Sequence, residues 1–123
     1  MRFLVLTVLL LLSSAAQAEN LSNRLFKASQ NTASAEQILN EMQHYAASKL
    51  TAEDYLVMSE AYQTLNNREA ALEAINKAEH HAATPYLKAR SIFGKAQIYG
   101  IFYQDAEMAI RQLEAAEQIL LPL

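Results

Sequence analysis

Residues 51 to 85, TAEDYLVMSEAYQTLNNREAALEAINKAEHHAATP, constrain the fold most, because they carry two helical periods with a stop between them. Thr51 precedes Ala-Glu-Asp, so its hydroxyl can accept the amide of Asp54, and acids in a first turn suit the positive helix end. From there Tyr55, Met58, Ala61, Tyr62 and Leu65 fall on one helical face. Asn66-Asn67 stops the run, since Asn tolerates a left-handed helix end. A second helix follows, with Ala71, Leu72, Ile75 and Ala78 inside and Glu69, Glu73, Asn76 and Lys77 outside. Glu73 and Lys77 form an i,i+4 pair in the favourable order, worth about 0.3 kcal/mol. Small residues at 61, 71 and 78 let two helix backbones approach closely, and Pro85 closes the unit.

The pattern recurs on both sides. Upstream, 19–30 reads as a helix with Leu21, Leu25, Phe26 and Ala28 on one stripe, broken at Gln30-Asn31-Thr32. Ser34 then caps a better helix, with Gln37 three residues on, whose face is Ala35, Ile38, Leu39, Met42, Tyr45 and Ala46. The offsets of Ala35, Leu39 and Met42 repeat those of Ala71, Ile75 and Ala78 thirty-six residues later. Downstream, a long helix from Pro85 carries Leu87, Ala89, Ile92, Phe93, Ala96 and Tyr99, with Phe102 or Tyr103. Tyr103-Gln104-Asp105 is the expected turn, and Ala109, Leu113 and Ala116 repeat Ala71, Ile75 and Ala78 thirty-eight residues on. Of Tyr99, Ile101, Phe102 and Tyr103, not all can face inward, so Ile101 or Tyr103 is expected outside or against the C-terminal tail. Leu120 to Leu123 are expected to fold beneath the last hairpin, burial being the default for leucine, or to mediate self-association.

The central unit resembles the tetratricopeptide (TPR) repeat. Its first helix reads Tyr55-x-x-Met58-Ser59-x-x-Tyr62 and its second Ala71-x-x-x-Ile75-x-x-Ala78, followed by Pro85, with the repeat's spacing unbroken from Tyr55 to Ala78. Tyr replaces Trp, Met-Ser replaces Leu-Gly, and Ile replaces the aromatic. In the third unit Phe93-Gly94 resembles the Leu-Gly pair, but Gln97 stands where the repeat has Tyr. The resemblance implies an all-α domain of three antiparallel hairpins, at about 19–49, 51–84 and 85–121, stacked as a short right-handed superhelix. It also implies an inner groove lined by Glu53, Leu56, Glu60 and Gln63, then by Lys88, Ser91, Lys95 and Ile98, with Phe102. Such a groove suits an extended peptide or a partner helix. The repeat's carboxylate clamp is not matched, so capture of a peptide C-terminus is not expected.

Met1-Arg2, an apolar run from Phe3 to Leu12 and the small-x-small site Ala16-Gln17-Ala18 have the layout of a secretory signal peptide cleaved after Ala18. The run is too short for a membrane anchor, which needs roughly 20 apolar residues. With no cysteine there is neither lipid attachment nor a disulfide, which favours a bacterial periplasmic or secreted protein. Arg2 lies in the leader, so nine basic residues face thirteen acidic ones in the mature chain, a formal charge of −4. The charges are interspersed, which argues against a nucleic-acid partner and offers no polybasic patch for a membrane surface.

Catalytic motifs are missing: there is no G-x-S-x-G, no H-E-x-x-H and no thiol nucleophile. Gly94-Lys95 is not a phosphate loop, because Ala89 stands where the upstream glycine is needed; Gly94 is expected at a close helix contact. His80 and His81 point about 100° apart on a helix and cannot easily share a metal. The expectation is therefore a non-catalytic scaffold without cofactor that binds a protein or peptide, with dimerisation open because about three repeats is the lower limit for stability. The alternative is a small bundle binding a metal or apolar ligand through His44, His80 and the tyrosines.

Overall fold

The computed structural model describes residues 20–122, so the expected leader and its cleavage site lie outside the described residues. Every regular element described is helical: α1 (20–30), α2 (Thr32–Met42), a 3-10 turn at Ala47–Lys49, α3 (Ala52–Thr64), α4 (Arg68–His81), α5 (Pro85–Ile101) and α6 (Ala106–Leu120).

Side-chain caps set most of these boundaries. Thr51 and Asp54 make both bonds of a capping box, 3.2 Å from the Asp54 amide to the Thr51 hydroxyl and 2.9 Å from the Thr51 amide to the Asp54 carboxylate. Asn67, Thr84 and Asp105 cap α4, α5 and α6, and Pro85 occupies the first turn of α5, where its missing N–H costs nothing. The α3–α4 turn uses Asn66 at φ 57°, and the α5–α6 turn uses Gln104 at φ 51°. The start of α2 differs from expectation. Asn31, not Ser34, is its cap, accepting the Ser34 amide at 2.8 Å, because the Asn carboxamide reaches that amide before a helix could start at Ser34. Tyr45 and Ala46 fall beyond the end of α2 and are exposed.

Among α2–α6 each helix packs against the next, most extensively α3 with α4 and α5 with α6, and α3 also reaches α5. Ala61, Ala71 and Ala78 are fully buried, as their size at those offsets requires. Ser59, also fully buried, donates to the Ala71 carbonyl at 2.9 Å, so the hydroxyl is satisfied at the place where α3 and α4 approach. Thr64 donates to the Ala28 carbonyl at 2.7 Å and ties α3 to α1. Arg24 pairs with Asp54 at 2.6 Å across the same joint.

The core is uneven. One cluster runs through α1–α4, with Leu21, Ile38, Met42, Tyr55, Val57 and Ile75 among its members, and takes only Ile98 from α5 as a buried residue. A second, small cluster of Ala89, Ile92 and Ala116, with Ile119 against it, joins α5 to α6. The expected burial is corrected for Leu120 and Leu121: α6 continues through Leu120, and both stay exposed because the short second cluster does not extend to them, while Leu123 lies outside the described residues. Phe26, expected on the inner stripe of α1, is exposed, since Leu21, Leu25 and Ala28 already fill that side.

Candidate interaction surface

α5 has neighbours on two sides, and their positions settle which arcs remain free. Toward α6 it presents Ala89, Ile92, Ala96 and Gly100; the nearest atom to a Cβ built on Gly100 would be that of Ala109, at 3.6 Å. Toward α4 it presents Gly94, where a Cβ would stand 2.8 Å from Ile75 Cδ1, and Lys95, which bonds Glu79. A helix turns about 100° per residue, so one remaining arc holds Tyr86, Arg90, Phe93, Gln97 and Ile101, and the opposite, narrower one Lys88 and Tyr99.

The first arc faces a cleft of about 190 Å³. Leu56, Glu60 and Gln63 of α3 form one wall, and Arg90, Phe93 and Gln97 of α5 form the other. Leu25 of α1 and Ile75 of α4 complete its apolar surface. Phe93 is 50% exposed although aromatic. Burial pushes the Glu60 carboxyl above its ordinary value, and the Arg90 guanidinium draws it partly back. The two do not reach ion-pairing distance; Arg90 instead donates to the Tyr86 hydroxyl at 3.2 Å. The cleft thus carries a half-buried carboxylate and a guanidinium, two carboxamides and an accessible aromatic face. Such a set can take polar main chain and one apolar side chain of a ligand.

Three of the expected groove residues, Leu56, Glu60 and Gln63, lie at this cleft, but Leu56 is buried beneath it and only Glu60 and Gln63 are half-exposed. Glu53 lies on the same face of α3, half-buried, a turn away. The expectation for α5 is corrected. Ser91 and Ile98 are fully buried and cannot touch a partner, and Ser91 donates to the Leu87 carbonyl at 2.8 Å. Lys95 is paired with Glu79, Phe102 packs on the main core, and Lys88 is exposed but outside the cleft lining. The cause is the phase of the helix. Gly94 contacts α4, the neighbouring pair, and not α6, the partner within its own pair.

The sequence reading does not place Arg90, Phe93, Gln97, Leu25 or Ile75 at the groove: Leu25 and Ile75 read as inner-stripe residues, and Phe93 and Gln97 as repeat positions. Their signal was present: α5 has two buried stripes, so a large residue between them, Phe93, must look outward.

The histidines form no ligand set. His81 stacks on Tyr55 with ring centroids 5.4 Å apart, His80 meets His81 edge-on, and His44 is exposed beyond α2. Among the described residues no three His, Cys, Asp or Glu side chains converge in a way that could hold a metal. No described helix is long and apolar enough to cross a membrane. Comparison with protein-family models, curated proteins and solved structures finds no match to this chain.

Proposed function

We propose that this chain is an exported, non-catalytic scaffold whose helix pairs stack in the manner of TPR hairpins, and that it holds a protein or peptide segment in the cleft between α3 and α5. One observation carries the reading: two polar walls from separate helix pairs, α3 and α5, face each other across an apolar floor with Phe93 open to solvent. A peptide laid there offers its main chain to Gln63 and Gln97 and an apolar side chain to Phe93 and the half-buried Leu25. Glu60 and Arg90 favour a ligand that brings opposite charges to each wall. The leader-like first eighteen residues support work outside the cytoplasm, in envelope assembly or secretion.

A photo-crosslinking residue at Gln97, inside the cleft, compared with one at Glu36, exposed on α2, tests the reading in cells of the native host. Adducts at 97 and not at 36, lost on Glu60→Lys, are expected. Equal adducts at both positions, or none at 97, rule the cleft out.

A further inference from the structure

The two second helices of the last pairs are built alike, but one carries a neighbour on a face that the other leaves open. Ala71 and Ala78 of α4 correspond to Ala109 and Ala116 of α6, thirty-eight residues apart, and each set faces the first helix of its own pair. The same offset matches Leu72, Ile75 and Glu79 with Ile110, Leu113 and Glu117. On α4 this face receives α5: Ile75 meets Gly94, and Glu79 pairs with Lys95. Ile75 is accordingly 2% exposed, whereas Leu113 is 42% and Ile110 55% exposed. Glu117 is exposed as well, and among α2–α6 the last helix packs on α5 alone.

We propose that this face of α6 is a docking site for an amphipathic helix of a partner protein, one carrying a small residue followed directly by lysine or arginine. The chemistry is read from the equivalent joint inside the chain. Leu113 needs a small residue opposite, as Ile75 needs Gly94, and Glu117 needs a cation, as Glu79 needs Lys95. Glu107 is paired with Arg111 at 2.8 Å, so Glu114 beside the stripe and Glu117 on it leave the face acidic. A second copy fits less well. A like-charged α6 would oppose these carboxylates. The exposed apolar residue of α1 that precedes a lysine is Phe26, far larger than glycine.

The probe is a labelled synthetic peptide spanning α5, residues 84–102, which contains Gly94-Lys95. Titrated with the full chain and followed by anisotropy, it is expected to saturate. Leu113→Glu in the protein, or Gly94→Leu in the peptide, is expected to weaken binding about tenfold or more. Glu117→Lys weakens it too, and a peptide with Lys95→Glu restores it. Circular dichroism of each variant separates lost binding from lost folding, Leu113 and Glu117 being surface positions. Phe93→Ala is expected to leave this binding unchanged, so the result stands apart from the fate of the cleft. Failure to saturate, or survival of binding in Leu113→Glu, overturns the proposal. Sensitivity to Glu79→Lys without sensitivity to Glu117→Lys does so too, since it marks displacement of the chain's own α5. A concentration-dependent dimer abolished by Leu113→Glu makes a second copy the occupant and likewise overturns it.

Discussion

Gly94 and Gly100 lie six residues apart on one helix, yet a methyl group has opposite consequences at the two places. Glycine within a helix costs roughly 0.5–1 kcal/mol relative to alanine. At Gly100 the added Cβ meets Ala109 at an ordinary 3.6 Å, so Gly100→Ala is expected to raise stability by about that amount. At Gly94 the Cβ stands 2.8 Å from Ile75 Cδ1 inside the main core, so the gain is spent on displacing Ile75. Urea unfolding is expected to rank Gly94→Ala below Gly100→Ala by about 1 kcal/mol or more; equal midpoints contradict the contact. Glu60 makes a pH prediction. Burial raises its pKa above the ordinary 4.5, so its ionisation opposes folding above the raised value. That cost vanishes once the folded and unfolded carboxyls are both protonated. Glu60→Gln is therefore expected to stabilise the chain at about pH 7 relative to the parent and to lose that gain by about pH 3.5. Asp54 runs the other way. Its burial acts to raise the pKa, but the Thr51 amide, the Arg24 guanidinium and the Thr51 hydroxyl together hold it below the ordinary 3.8. Its stabilisation is complete above 3.8 and is lost as pH falls through the lowered value.

Among the elements, α3 and α4 were legible from the cap at each start and Asn66 at the turn; Ala71, Ile75 and Ala78 of α4 and Tyr55 and Ala61 of α3 are buried as expected, while Met58, Tyr62 and Leu65 are only half-buried. Even there Leu56, Val57 and Ser59 are buried outside the expected stripe, since α3 touches α2 and α5 as well as α4. The phase of α5 was not legible for the same reason. Two stripes of small and apolar residues fit either neighbour, and a glycine does not say which helix approaches it. In α6 the strongly apolar face suggested burial, but the surface it would need is not supplied by the chain as described. Ala116 is the sole buried residue of α6, which sets its local stability. Amide exchange in α6 is expected to be on the order of tenfold to a hundredfold less protected than in α3. Similar protection in both would show that the small cluster holds α6 as firmly as the main core holds α3.

For the molecule as a whole, the two clusters imply two levels of cooperativity joined along the α4–α5 contact. Arg68 reaches across that contact, donating to the Phe102 carbonyl at 3.3 Å and lying 4.8 Å from the Tyr103 ring centroid. The Lys95–Glu79 pair sits toward the other end of α4. Polar links of this kind position helices but contribute little compared with apolar burial. A loss in the second cluster should therefore stay local, and a loss in the main cluster should not. Ile92→Ala, worth about 2–4 kcal/mol at a buried site, is expected to speed exchange in α6 and the α6-facing side of α5 while α2–α4 keep their protection. Val57→Ala, about 2 kcal/mol, is expected to lower protection in every helix, because α5 and α6 rest on a surface that α3 and α4 must form first. Exchange mapped by mass spectrometry on both variants distinguishes this from a single cooperative unit, in which Ile92→Ala would lower protection everywhere by the same factor. The same asymmetry bears on the open face of α6: a helix bound over Leu113 would enlarge the smaller cluster and raise protection in α6 before anywhere else.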